Sequence, residues 1–182
     1  MRFFTTTSVT ALLCSNFVSA LFDYITPLAC LNAKTVFEQI DTDQLVGIWN
    51  NTVCSKGCQP KVSEYQSLRD TYLIPALMTE VEKMGNANLT PYYISLMDSF
   101  YEMAENTCGA GDSQSLCQDP SQLKAVAKCV QSNGWSLALS NVLNLLPIML
   151  ANPCQNVVDY ISSPEVFKAT LPAYFENYAA NC

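Results

Sequence analysis

The chain has 182 residues, of which 49% are hydrophobic and only 14% are charged. Its formal net charge is -7 and no run of basic residues is present that would neutralise successive phosphates, which argues against a nucleic-acid partner. The absence of histidine excludes Ser-His-Asp and Cys-His catalysis and imidazole zinc ligation. The length fits one domain with a single core.

The first 20 residues have the pattern of a secretory signal peptide. Arg2 supplies a positive charge, no charged residue follows up to Ala20, and the segment ends in the small-residue pattern Val-Ser-Ala. The threonines at positions 5–7 leave too few consecutive apolar residues for the roughly 20 that a transmembrane helix needs. The sequence therefore predicts cleavage after Ala20, an extracellular location and one domain over residues 21–182.

The cysteines predict a disulfide framework. Cys14 lies within the predicted signal peptide, and the other eight are Cys30, Cys54, Cys58, Cys108, Cys117, Cys129, Cys154 and Cys182. An even number of cysteines behind a signal peptide favours four disulfides, whose pairing the sequence leaves open. A metal cluster is the alternative, and it is disfavoured because no cysteine pair is spaced by two residues and no histidine is present.

Two segments match the acceptor pattern for N-linked glycosylation. These are Asn50-Asn51-Thr52 and Asn88-Leu89-Thr90. We expect glycans at Asn50 and Asn88, and therefore expect both segments to lie at the surface.

Five dipeptides predict helix starts, because each places a capping side chain before a proline that suits the first helical position. They are Thr26-Pro27, Thr90-Pro91, Asp119-Pro120, Asn152-Pro153 and Ser163-Pro164. Asp41 with Gln44 predicts another start by a capping box. From Val62 to Met84, apolar residues recur at spacings of three and four, which predicts an amphipathic helix with a kink before Pro75.

Three more helical segments follow. One spans Pro91 to Glu105, and a shorter one bearing Cys129 is expected to end at Asn133-Gly134. Residues 137–150 are apolar nearly all round, which is typical of a buried bundle centre or of a helix beside an apolar cavity. No sustained β-type alternation is present. We therefore predict an all-α fold, a compact bundle of six to eight short helices stapled by about four disulfides.

No arrangement of acidic residues indicates an active site. Asp41 and Asp43 lack the spacing of a calcium loop, and Glu80 and Glu82 lie on different faces of their helix. Phosphate-binding loops, nucleophile elbows and dinucleotide-binding motifs are also missing from the sequence. We predict that the protein is not an enzyme and holds no cofactor or metal.

The cysteine spacing at the two edges of the chain resembles that of elicitins, small secreted all-helical oomycete proteins. Leu28-Ala29-Cys30 followed by 23 residues and Cys54 is similar to their opening, and Asn152-Pro153-Cys154 with the terminal Asn181-Cys182 is similar to their ending. Elicitins have six cysteines in a shorter domain, and the middle of this chain does not match. The resemblance implies a bound sterol or fatty acid and recognition by plant hosts, and it carries over no ligand residue.

We expect a secreted, non-enzymatic binding protein that holds a sterol or fatty acid between its helices. The first alternative is an effector, virulence or surface factor with a filled core, whose exposed aromatic patch contacts a host protein. The second is a carboxylate enzyme, which needs two acids with widely separated pKa values. The residues expected to line the ligand site are Leu143, Leu146, Ile148 and Met149, with Tyr92 or Phe100 opposite.

Overall fold

The computed structural model describes residues 28–111, 115–141, 146–148 and 154–182. Within these ranges the chain forms helices and no strand, with one isolated bridge between Lys61 and Ser115. The predicted all-α fold is confirmed. The helices are α1 (Leu28–Glu38), α2 (Thr42–Thr52), α3 (Tyr65–Leu68), α4 (Ile74–Lys83), α5 (Thr90–Asn106), α6 (Pro120–Ser140), α7 (Cys154–Ser162) and α8 (Leu171–Ala179).

Several predicted features lie outside the described residues. They are the signal peptide with its cleavage site, the helix starts at Thr26 and Asn152, and the expected lining residues Leu143 and Met149. Cys30 lies on α1, where side chains are described only from residue 32 onward.

Aspartates cap two of the helices as predicted. The Asp41 carboxylate accepts hydrogen bonds from the backbone N–H groups of Asp43 and Gln44 at 2.9 and 3.0 Å. Asp119 accepts in the same way from Ser121 and Gln122 at 2.8 and 3.2 Å. Each carboxylate satisfies amides that have no partner within the helix, which is why these two helices start where they do.

The helix start predicted at Thr90-Pro91 is confirmed, but the Thr90 side chain does not cap the helix. A 3₁₀ turn, Ala87–Leu89, precedes α5, and Thr90 is already the first residue of the helix. Its hydroxyl donates to the carbonyl oxygen of Ala87 at 2.8 Å. Because the 3₁₀ turn leads directly into α5, the Thr90 side chain bonds to this turn and not to the first amides of the helix.

Two π-helical turns, each just before a proline, interrupt the helical rods. Arg69–Leu73 precedes α4, which contains Pro75, and Val166–Thr170 precedes α8, which contains Pro172. In both turns a backbone N–H bonds five residues back, from Ile74 to Arg69 and from Leu171 to Val166. Proline cannot donate to the carbonyl four residues earlier, and one wider turn accommodates the lost bond without breaking the rod. The interruption expected before Pro75 is therefore a π turn.

Helix α6 is longer than the sequence indicated, because it continues through Gly134. The rings of Phe37 on α1 and Phe100 on α5 approach this glycine so closely that a Cβ atom there would lie 2.7 and 2.9 Å from them. The predicted helix end at Asn133-Gly134 is therefore wrong. Gly134 lets three helices approach one another closely. In the sequence, a glycine with this role looks the same as a glycine that ends a helix.

Helix α6 lies against α1, α2 and α5, and α1 packs along α7. A side chain on α6 also caps a neighbouring helix. The Gln131 amide nitrogen lies 3.1, 3.1 and 2.7 Å from the carbonyl oxygens of Phe37, Glu38 and Ile40, at the end of α1. The Phe37 carbonyl also accepts from the backbone N–H of Ile40 at 3.3 Å. Gln131 thus fixes the end of one helix to the middle of another.

Disulfides tie the segments between helices to the bundle. The pairs are Cys54–Cys117, Cys58–Cys182 and Cys108–Cys129, with Cα–Cα distances of 5.3, 5.7 and 5.6 Å. Cys154 is also disulfide-bonded. The Cys58–Cys182 bond joins the end of the chain to the segment before α3, across 124 residues of sequence.

We predict that the disulfides differ in their contribution to stability according to the loop each closes. Chain-entropy arguments give about 5 kcal/mol for the separation of 124 residues and about 3 kcal/mol for that of 21 residues. Replacing Cys58 and Cys182 by alanine should therefore lower the free energy of unfolding more than replacing Cys108 and Cys129. Urea unfolding of the two double variants measures this, and the reverse order would contradict it.

Candidate functional site

A cavity of about 510 Å³ lies between six of the helices, and we call it the large cavity. Its volume is within the range of roughly 300–1,000 Å³ that is usual for ligand pockets. Leu73 in its wall is 40% exposed, so the cavity comes close to the surface at this residue. Its walls consist of Ala33, Phe37, Leu73, Ala76, Leu77, Glu80, Met84, Tyr93, Leu96, Met97, Phe100, Gly134, Trp135, Ala138, Val157, Tyr160, Ile161, Thr170, Leu171 and Tyr174.

The two π turns form part of this wall. Leu73 ends the first turn and Thr170 ends the second, and both line the large cavity. The first turn is held in place by Arg69, whose guanidinium donates two hydrogen bonds to Asp98 on α5, at 2.6 and 2.9 Å. The Tyr65 hydroxyl donates to the same carboxylate at 2.7 Å. This bidentate pairing fixes the orientation of the turn against α5.

Three polar side chains of the wall, Glu80, Tyr160 and Tyr174, meet at one place, and Lys83 joins them from outside the wall. We call these four residues the Glu80 cluster. Glu80 on α4 is only 8% exposed. Its Oε2 accepts a hydrogen bond from the Tyr160 hydroxyl of α7 at 2.6 Å, and its Oε1 accepts from the Tyr174 hydroxyl of α8. Lys83, one turn further along α4, donates to Oε1 at 2.8 Å. One carboxylate thus joins three helices around the cavity.

These contacts decide the charge state of the cluster at neutral pH. Burial raises the pKa of Glu80, but the hydrogen bonds from Lys83, Tyr160 and Tyr174 outweigh it and hold the pKa below its ordinary value of 4.5. Burial and the hydrogen bond to Glu80 raise the pKa of Tyr174 to about 12, and the same causes raise that of Tyr160. Glu80 is therefore a carboxylate, and both tyrosines keep their protons.

A further wall residue has an unsatisfied polar group. The Tyr93 hydroxyl on α5 is buried and has no hydrogen-bond partner among the described residues. Burial raises the pKa of this phenol to about 12, so it is protonated at neutral pH. A buried hydroxyl without a partner costs about 1–3 kcal/mol. The Tyr93 oxygen is covered by protein atoms, so a group in the cavity does not contact it in this structure.

A second cavity of about 300 Å³ adjoins the large one, and Leu73, Ala76 and Tyr174 belong to the walls of both. Aromatic side chains dominate its wall. Trp49 of α2 meets the ring of Phe175 edge-on with centroids 5.1 Å apart, and its indole N–H is buried without a partner among the described residues. The two apolar spaces thus share three wall residues.

Only some of the residues expected to line a ligand site belong to the wall of the large cavity. Phe100 lines the large cavity, whereas Tyr92 is 36% exposed and its neighbour Tyr93 is the wall residue. Leu146 is half-buried and Ile148 is buried, and neither is among the wall residues above.

The two predicted glycosylation sites differ in exposure. Asn88 is exposed in the 3₁₀ turn before α5. Asn50 lies on α2, is half-buried, and its side-chain carbonyl oxygen is buried without a hydrogen-bond partner among the described residues.

Glu80 is the site residue that the sequence interpretation missed. The signal for it was its position in the apolar stripe of α4, three residues after Leu77 and four before Met84. A single acid at such a position is ordinarily read as an edge of the helix. Its two tyrosine partners come from α7 and α8, about 80 and 94 residues away in sequence, so no local pattern could reveal them.

No group of three or more potential metal ligands is present in the described part of the chain. Among the same residues, no helix combines the length and apolar character needed to cross a membrane. The chain matches no protein-family model, no curated protein and no solved structure. The function must therefore be argued from its own residues and geometry.

We predict that Glu80 stabilises the fold in a pH-dependent way. Because its pKa is lowered by folding, its contribution is present above the ordinary value of 4.5 and is lost as the pH falls through the folded-state pKa. Glu80→Gln should lower the free energy of unfolding by about 1–3 kcal/mol at neutral pH, and this difference should shrink on acidification.

Urea unfolding of both chains across this pH range measures the effect. Glu82→Gln is the matched control, because Glu82 is exposed on the same helix and its loss changes the net charge equally. A Glu80→Gln difference that stays constant down to strongly acidic pH would show that the ionised carboxylate is not what stabilises the cluster.

Proposed function

We propose that the protein is a secreted, non-enzymatic binding protein that carries an apolar ligand, such as a sterol or fatty acid, in the large cavity. The observation that supports this is the cavity itself, an open space of about 510 Å³ whose lining surface is almost entirely apolar. A few polar groups in an otherwise apolar wall are the usual construction of a small-molecule site.

The structure also bears on the alternative of a protein that acts only through surface contacts. That reading assumes a filled core and a contiguous exposed aromatic patch. In the described ranges, Leu73, Met78 and Tyr92 are the large hydrophobic side chains that are exposed, and only one of them is aromatic. Two cavities and a sparse apolar surface favour the carrier over the contact protein.

Secretion is supported by the disulfides. Three pairs and the bonded Cys154 are typical of a protein from an oxidising compartment, which agrees with the signal-peptide pattern of the first 20 residues. On this proposal, Asn88 is the better glycan acceptor of the two predicted sites, because its side chain is exposed and no buried atom of it would have to move.

We predict that the protein purified from a secretory host carries an extractable ligand. Native mass spectrometry before and after organic extraction should show a mass above that of polypeptide, glycans and oxidised cysteines, and this excess should disappear on extraction. A mass that matches the polypeptide alone, and that stays unchanged after incubation with sterols and fatty acids, would refute the carrier function.

We predict that filling the large cavity abolishes uptake while the fold is kept. Ala138 on α6 lines the cavity, and Ala138→Phe would place a ring in that space. Ala125→Phe is the matched control, because Ala125 is exposed on the same helix. Loss of ligand by the first variant alone, with a far-UV circular dichroism spectrum unchanged in both, is the expected result. Equal uptake by both variants would place the ligand elsewhere.

A further inference from the structure

In the Glu80 cluster, the hydrogen-bond donors are already used and acceptors remain. In the Glu80 cluster every donor already points at the carboxylate: Tyr160 at Oε2, and Tyr174 and Lys83 at Oε1. Lys83 is 59% exposed and is not part of the cavity wall. The groups that the cluster has left to offer are acceptors, since Oε2 has one donor where a carboxylate oxygen takes two, and a phenol oxygen that donates can still accept.

We propose that the Glu80 cluster selects the head group of the ligand, and that it selects a neutral alcohol in preference to a fatty acid. This inference rests on the proposed carrier function and narrows it to one ligand class. The ligand hydroxyl donates to Glu80 Oε2 or to the Tyr160 oxygen, and its hydrocarbon part fills the apolar remainder of the cavity.

Other head groups fit this arrangement less well. An ionised fatty acid has no proton to donate, and its carboxylate would lie beside the carboxylate of Glu80, which is only 8% exposed. An ether or ester of the same shape has acceptors only, so it would leave the acceptors of the cluster unpaired. An ammonium group can donate, but its charge must be stripped of water to enter an apolar cavity.

The experiment compares three probes of equal chain length on the full secreted chain at neutral pH. Dodecanol has a donor, dodecyl methyl ether has only an acceptor, and dodecanoate is ionised. Displacement of a fluorescent apolar reporter gives the affinity of each. We expect dodecanol to bind about tenfold or more tightly than either of the other two.

Variants separate the role of Glu80 from the general cost of burying an ionised head group. In Glu80→Gln, the preference for dodecanol over dodecanoate should fall by about tenfold, because the like charge is gone. Glu82→Gln removes an equal charge from the exposed face of the same helix and should keep the preference of the unaltered chain. If Glu80→Gln does not fold, the comparison of dodecanol with its methyl ether on the unaltered chain still tests the head-group selection.

The outcomes distinguish the two proposals. If all three probes bind equally, or if Glu80→Gln keeps the full preference, the head-group selection is overturned and the carrier function stands. If none of the probes binds, the head-group selection is overturned, and the mass-spectrometric test with sterols and fatty acids decides the carrier function separately.

Discussion

The arrangement of the bundle depends on one buried carboxylate. Glu80 receives hydrogen bonds from α4, α7 and α8, and these contacts join helices that would otherwise be separated by an apolar space. A carboxylate taken out of water is costly unless it is paired and hydrogen-bonded, so the cluster is stable only as a set. Three members of this set, Glu80, Tyr160 and Tyr174, also lie in the wall of the large cavity.

The shape of the cavity depends on prolines and on one glycine. Pro75 and Pro172 each follow a π turn, and the last residue of each turn, Leu73 or Thr170, lies in the cavity wall. Gly134 acts in the opposite sense, because it lets two phenylalanine rings come close and closes the wall between α1, α5 and α6. Backbone irregularities thus set where helices separate and where they touch, and the disulfides hold the connecting segments to this frame.

Interpretations based on local patterns succeeded where the cause was local. Asp41 and Asp119 begin helices because each carboxylate reaches amides two and three residues away, and Pro75 disturbs its own helix for an equally local reason. Gly134 gave a wrong prediction because two aromatic rings from other helices decide its role. In the sequence it carries the signal of a helix end, but the close approach of Phe37 and Phe100 places this glycine inside a helix.

The sequence by itself determined the helical class, the cysteines available for disulfides and the exclusion of histidine-based chemistry, because composition, periodicity and capping act within a few residues. The tertiary structure decided which cysteines pair, that Tyr93 and Phe100 face the large cavity while Tyr92 is exposed, and that Glu80 meets Tyr160 and Tyr174. These depend on contacts between residues tens of positions apart. The spacing of side chains along one helix determines which residues share a face. Only the packing of the helices determines which residues of other helices that face contacts.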